Sequence, residues 1–259
     1  MTSWLTHPLA RGLSVDDPRG LEVRRRIIRE KPFLQRIYRE WYAAIAGSLP
    51  PGAGRVLELG SGPGFLGDVL PGLVTSDLLP RAGLDLLLDG RALPVRDASL
   101  RAIVMTDVLH HIPEPRRFLR EASRCVRGGG RIVMIEPWVS EWSSFIYTRL
   151  HHEPFAPDAA DWEFPAGGPL SAANMALPWI IFVRDRARFE REFPEWRLVG
   201  VTPLMPFRYL LSGGVSMRGL APAWTFGLWR GIEHLLEPWM DRLGLFAHIV
   251  LERTNVDWR

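Results

Sequence analysis

The densest chemical signal in the chain is Val56-Leu57-Glu58-Leu59-Gly60-Ser61-Gly62-Pro63-Gly64. An apolar run ends in a carboxylate and passes into three alternating glycines. Glycine is needed where backbone turns sharply and approaches a ligand with no Cβ between them, so the pattern predicts a strand feeding a ligand-cradling loop. Gly62-Pro63-Gly64-Phe65-Leu66-Gly67 also satisfies the G-x-G-x-x-G spacing of nicotinamide-dinucleotide sites. That reading is the weaker one. Pro63 removes an N–H from a loop that would have to cradle pyrophosphate, and a carboxylate at Glu58 adds nothing for an anion. Lys31 is the only lysine, so no Tyr-x-x-x-Lys pair exists.

Other constellations fare worse. There is no G-x-S-x-G elbow and no H-E-x-x-H, and Cys125 stands alone, which excludes an intramolecular disulfide and a cysteine-based zinc site. His151-His152-Glu153 places neighbours that diverge on helix or strand alike, so no metal is expected there. Arg184-Asp185-Arg186 reads as an ion-paired helix start.

Downstream, acids and histidines recur at the ends of apolar runs. Asp77 closes one, Asp89 lies in Leu88-Asp89-Gly90-Arg91-Ala92-Leu93-Pro94, and His110 and His111 close Ala102-Ile103-Val104-Met105-Thr106-Asp107-Val108-Leu109-His110-His111-Ile112-Pro113. Taken with the loop and with Glu121 to Gly130, these segments resemble the class I S-adenosylmethionine-dependent methyltransferases, and are similar to the group related to ubiquinone and menaquinone biosynthesis. The resemblance implies S-adenosylmethionine as cofactor, held by Glu58, Gly60, Ser61, Gly62 and Gly64 at its methionine end. Asp77 and Leu78 would take the ribose, Asp89 and Gly90 the adenine, and Thr106 would line the site. His110 and His111 would lie beside the transferable methyl, where histidine can take a proton near neutral pH; His110 is read as the pocket-facing base. Asp107, His110 and His111 fall at positions similar to metal-linked residues in some quinone O-methyltransferases, but the reading adopted takes no metal.

The elements that must position these residues follow from periodicity. Short apolar runs at Arg55 to Leu59, Leu73 to Ser76, Leu84 to Leu88, Ala102 to Thr106 and Arg131 to Ile135 alternate with helical patterns, and two more runs lie at Arg197 to Leu204 and Phe246 to Glu252. The expectation is an α/β fold: a Rossmann-like, mostly parallel seven-stranded sheet with helices on both faces. Residues 1–50 read as an N-terminal helical extension divided at Pro32, and 51–259 as the methyltransferase domain. The helix between Asp77 and Asp89 must be very short or missing. Gly128-Gly129-Gly130 reads as the stop of a helix from Pro115 to Val126.

Two aromatic-rich stretches, about 137–185 and 205–245, interrupt the pattern and are read as lid insertions, the second with a helix from Trp224 to Leu243. Trp142, Tyr147, His151 and Trp179 are the expected acceptor-binding residues. The net charge of +3 in 259 residues carries no nucleic-acid signature, and the arginines of the N-terminal helices read as a solvated face. No signal-type or membrane-spanning apolar run is present, so a cytoplasmic protein is expected, with a peripheral membrane contact allowed by the many tryptophans. The function expected is methyl transfer to an oxygen or carbon of a small or amphiphilic metabolite, lipid-linked ones included. The alternative is a catalytically silent, cofactor-binding interaction module.

Overall fold

A computed structural model describes residues 4–13, 16–17, 19–151, 153–168 and 170–254. The strands are β1 (Arg55–Leu59), β2 (Leu73–Asp77), β3 (Leu86–Leu87), β4 (Leu100–Thr106), β5 (Val126–Pro137), β6 (Trp196–Leu204) and β7 (Phe246–Arg253). They form one sheet in the order β3-β2-β1-β4-β5-β7-β6. Pairing is parallel from β3 to β5, and β7 runs antiparallel to both β5 and β6. The expected Rossmann-like, mostly parallel sheet is thus the fold observed. Because β1, β2 and β4 run in parallel, Leu59, Asp77 and Thr106 end on one edge, and the loops that follow them converge there.

Alternate strand residues feed two cores, as the period of two demands. Leu57, Ile103, Met105, Ile132 and Met134 join the core of α3 (Pro115–Cys125), while Val56, Ala102, Val104, Val133 and Ile135 join that of α2 (Pro32–Gly47). A strand covered on both faces must be apolar at successive positions, which is why Ala102 to Met105 reads as an unbroken apolar run and is fully buried. Pro32 occupies the first turn of α2, where its missing N–H costs nothing, and separates it from α1 (Arg19–Glu30). α2 buries Leu34, Ile37, Trp41, Tyr42 and Ile45 on one face. Between β1 and β2 there is only the 3-10 turn Leu66–Asp68, and no helix of the described residues lies between β2 and β3.

Three local expectations change. β3 is two residues long rather than five. The Gly128 to Gly130 run does not stop α3, which ends at Cys125 as Val126 turns extended (φ −80°, ψ 130°); the glycines lie inside β5. A Cβ on Gly130 would lie 2.8 Å from the carbonyl oxygens of Arg101 and Arg127, so glycine is needed there for close approach. The helix expected from Trp224 to Leu243 is broken. Pro238 cannot continue it, leaving α8 (Phe226–Leu235), the turn Glu237–Trp239 and α9 (Met240–Leu243).

The first aromatic stretch holds α4 (Glu141–Leu150), started by a Ser140/Ser143 capping box, then α5 (Leu177–Trp179) and a π-helical turn, Ile180–Arg184, before α6 (Arg186–Glu192). The second holds α7 (Arg208–Ser212), α8 and α9. Buried charge ties the first to α3 and the second to α2. Arg116 reaches Asp161 (2.9 Å) and Glu192 (2.8 Å) with its guanidinium carbon 4.5 Å from the Trp162 ring centre, and Arg208 pairs with Glu233 and Glu40. Trp162 is fully buried. No helix among the described residues is long and apolar enough to cross a membrane.

Candidate active site

The loop after β1 is held in a conformation that larger residues could not adopt. Gly60 has φ +62°, and a Cβ there would lie 2.6 Å from Val108 Cγ2; a Cβ on Gly64 would lie 2.5 Å from the Tyr42 hydroxyl. Val108 follows β4 and Tyr42 sits on α2, so the glycines let the loop nest between these elements. Asp77 braces the loop by accepting from the N–H of Gly62 (2.7 Å) and of Leu79 (2.9 Å). The Ser61 hydroxyl donates to Glu58 (2.6 Å), and its N–H donates to the Ser76 carbonyl (2.8 Å). Burial pushes the Glu58 carboxyl up to about 7, against the Ser61 hydrogen bond.

A cavity of about 930 Å³ opens beside this loop, continuous from Glu58, Gly60 and Asp77 through Leu78, Asp89, Gly90 and Thr106 to both aromatic insertions and the N-terminal helices. Asp107 has φ +65°, a region that non-glycine residues adopt at a cost, and its N–H donates to the Ile135 carbonyl (2.8 Å). Its side chain opens into the cavity. Glu136, at the end of β5 and fully buried, accepts from the N–H groups of Val108 (2.9 Å) and Leu109 (2.7 Å), fixing the turn Leu109–His111. Its second oxygen lies 2.8 Å from His110 Nδ1. His110 Nε2 lies 3.7 Å from Glu153 and 4.0 Å from Asp107. His111 Nδ1 lies 3.1 Å from the Ala172 carbonyl, and the two rings are 4.1 Å apart.

This clustering sets the protonation. Burial opposes a charge on His110, but Glu136, Glu153 and Asp107 outweigh it and hold the imidazole up at about 10. Burial and the neighbouring His110 push His111 down to about 4. Burial raises Asp107 to about 7, whereas Glu153, despite its burial, is held at about 2 by the histidines around it.

Of the expected cofactor residues, Glu58, Gly60, Ser61, Gly62, Gly64, Asp77, Leu78, Asp89, Gly90 and Thr106 all line this cavity. Asp89 is already clasped by Arg91, which also reaches Glu114. Thr106 Oγ1 is buried with no hydrogen-bond partner among the described residues. The histidines are reversed from expectation: His111 lines the cavity, while His110 is fully buried behind it. Trp142, Tyr147 and His151 line the cavity, Trp142 with its indole N–H on the Pro206 carbonyl and Tyr147 with its hydroxyl on that of Leu245. Trp179 does not; it packs against the core that α3 shares with the sheet, because α5 lies over that face. His152 lies outside the described residues. Glu153, set aside with its histidine neighbours, and Arg24, read as part of a solvated helix face, also line the cavity; sequence reading missed Glu136, which positions the turn.

The residues fit S-adenosylmethionine. The Gly60 and Gly64 cradle is space a Cβ would fill, Glu58 is a buried carboxylate suited to a cationic ligand, and Thr106 leaves a buried hydroxyl to be satisfied.

Comparison with known proteins agrees. Residues 57–134 match the family model Methyltransf_11, described as a methyltransferase domain. No curated protein matches the chain. Among solved structures, the fold is similar to a methyltransferase chain from the Haloferax volcanii complex with the Trm112 methyltransferase activator (14% identity, 95% of this chain and 100% of that one, TM-score 0.56). It is also similar to a SAM-dependent methyltransferase from Thermotoga maritima (15% identity, 90% and 99%, TM-score 0.52). A third is geranyl diphosphate C-methyltransferase from Streptomyces coelicolor A3(2) (15% identity, 97% and 87%, TM-score 0.51). The chain thus carries a methyltransferase domain over residues 57–134, set on a Rossmann-like sheet whose loop after β1 is shaped for S-adenosylmethionine.

Proposed function

We propose that the protein transfers a methyl group to an oxygen or carbon of a small or amphiphilic acceptor, bound between the cofactor loop and the two aromatic insertions, which act as its lid. The observation that carries this reading is the single cavity. It joins the cofactor loop to apolar residues of the insertions and the N-terminal segment, Ile146, Leu150, Leu210, Leu21 and Leu13 among them, across the polar cluster of Asp107, His111 and Glu153. When bound, S-adenosylmethionine supplies a methyl group on a sulfonium, open to in-line displacement.

The chain's own residues supply the rest. Apolar walls exclude water and align the acceptor, which favours a displacement in which charge is neutralised. The polar cluster is where an acceptor hydroxyl or acidic carbon is oriented and passes its proton to a cavity-facing group, His111 or the Asp107 carboxylate, with His110 holding the cluster from behind through its contacts to Glu136 and Glu153. The sequence likeness to ubiquinone- and menaquinone-related enzymes supports an amphiphilic acceptor and a cytoplasmic site of action.

The test is incubation of the purified protein with methyl-labelled cofactor and a host extract. Label appearing in an extractable small molecule supports the reading; a protein that binds the cofactor yet labels nothing is the silent interaction module instead.

A peripheral membrane contact is supported by one observation. Trp224, Leu228, Leu235 and Trp239 recur at helical spacing along α8 and its flanks and are 81%, 63%, 74% and 53% exposed. Flotation with anionic phospholipid vesicles should carry the protein upward, and Trp224→Ser with Trp239→Ser should reduce it. Equal flotation of both forms removes this contact.

A further inference from the structure

We propose that His110, His111 and Glu153 bind a divalent first-row transition metal ion at the inner end of the cavity, with the Asp107 carboxylate nearby, 4.0 Å from His110 Nε2. One ligand atom from each of the three residues lies within 4.8 Å of the others. Two of the residues come from the turn after β4, and the third comes from the first aromatic insertion, so the site exists only when the insertion packs on the sheet edge.

The tautomers favour a metal. His110 Nδ1 faces a carboxylate oxygen of Glu136 and His111 Nδ1 faces the Ala172 carbonyl; both partners accept, so both Nδ1 atoms donate. In the neutral rings that leaves each Nε2 with its lone pair available; on His110 the ion would displace the proton that the surrounding carboxylates otherwise favour. Metal-binding histidines are usually held this way, with the far ring nitrogen bonded to a carboxylate or carbonyl that fixes the ring and raises its basicity. His110 Nε2 is also fully buried and makes no hydrogen bond among the described residues, and Glu153 at 3.7 Å and Asp107 at 4.0 Å are too distant to satisfy it. An ion between these groups would satisfy it and neutralise the carboxylates together. Two imidazoles with one or two carboxylates suit zinc, cobalt, manganese or ferrous iron, whereas magnesium and calcium take oxygen ligands.

His111, Glu153 and Asp107 all line the cavity, so the ion would have coordination positions on the acceptor side. On the methyl-transfer reading, an acceptor hydroxyl or enolisable carbonyl oxygen would fill one of them. The binding site itself does not depend on that reading.

The experiment uses the full chain, stripped with a chelator and dialysed, and titrates it with Co²⁺ followed by visible absorption and with Zn²⁺ by equilibrium dialysis. S-adenosylhomocysteine binding is measured in parallel. One ion per chain is expected, with ligand-field bands from Co²⁺. Loss of a ligand should exceed the roughly 10–100-fold typical of outer-shell partners. His111→Ala and Glu153→Gln, both on the cavity wall, are therefore each expected to weaken binding by ~100-fold or more, and the exposed control His234→Ala to leave it unchanged. A stripped protein that binds S-adenosylhomocysteine but no stoichiometric ion overturns the proposal, as does unchanged ion affinity in both His111→Ala and Glu153→Gln. Ion binding without any S-adenosylhomocysteine binding supports the metal site and instead removes the methyl-transfer reading.

Discussion

Residues 55–137 and the two aromatic insertions meet at one cavity but are built by different rules. In the first region, position follows from backbone: Gly60 and Gly64 sit where a Cβ would collide, and Asp77 and Glu58 are held by the loop's own N–H and hydroxyl groups. In the insertions, position follows from side chains. Short helices are pinned by ion pairs such as Arg208 with Glu233 and by packed rings such as Trp142 against Phe207, 6.0 Å apart. Backbone-determined sites tolerate almost no substitution, whereas side-chain-determined ones can be repacked. The cofactor half of the cavity is accordingly the rigid half, and on the proposed reading acceptor choice rests with the other.

The largest effect should come from breaking the rigid half. Gly60→Ala asks for a left-handed conformation that costs about 1–2 kcal/mol outside glycine, and pushes a methyl group into Val108 at 2.6 Å, where overpacking adds about 1–3 kcal/mol. A loss of ~2–5 kcal/mol in urea unfolding is expected, with S-adenosylhomocysteine binding abolished by calorimetry. Normal affinity in a folded Gly60→Ala protein would show that the loop is not backbone-determined.

A pair of tryptophans sharpens the contrast. Trp179 packs on the core and Trp142 lines the cavity. Truncating a packed tryptophan costs about 3–5 kcal/mol when it is fully buried; Trp179 is partly buried, so Trp179→Ala should lose ~2–3 kcal/mol and leave turnover per folded molecule near normal. Trp142→Ala should lose less stability while raising KM for the acceptor at least ~10-fold with cofactor affinity held. The reverse pattern, measured by thermal unfolding and steady-state kinetics, would move the acceptor pocket to α5.

The same contrast explains what was legible in advance. β1 and its loop could be read residue by residue because alternating glycines after an apolar run have one physical use, and the unbroken apolar run of β4 has one environment. His110 and His111 were legible as a pair but not in phase. They lie in a 3-10 turn, where successive residues point ~120° apart, so one faces the cavity and the other the sheet, and only the buried Glu136 decides which. Glu153 stood out only beside two histidines from which it was expected to diverge, and its place could not be read because it lies in an irregular stretch whose path is set by Asn174 bonding to Ala156 and by the His110 carbonyl accepting from the Asn174 N–H. Trp179 was misplaced because tryptophan enrichment marks packing as readily as a binding surface.

The smallest effect expected is a pH dependence seated in Glu58. Its carboxyl is raised to about 7 by burial, against 4.5 when unfolded. Between these values the folded protein keeps a proton that the unfolded chain has released, so this group makes stability fall as pH rises across the window, by up to about 1.4 kcal/mol per pH unit. Above about 7 the carboxylate is ionised in the folded state and no further change follows. Cofactor binding should run the opposite way. A cationic ligand beside Glu58 favours the ionised form, so S-adenosylhomocysteine, which retains its α-ammonium group, should bind more tightly as pH rises from about 5.5 to 7.5, by up to ~10-fold per unit below the folded pKa. Asp107 titrates in the same range, so the wild-type profile alone does not separate the two groups. Glu58→Gln does: it keeps the shape, removes the titration, and should flatten both profiles while weakening binding at pH 8. If affinity in the wild type is level from pH 5.5 to 8, or if Glu58→Gln keeps the wild-type slope, the buried carboxylate does not face the cofactor's charge and serves only to hold Ser61 and the turn of the loop.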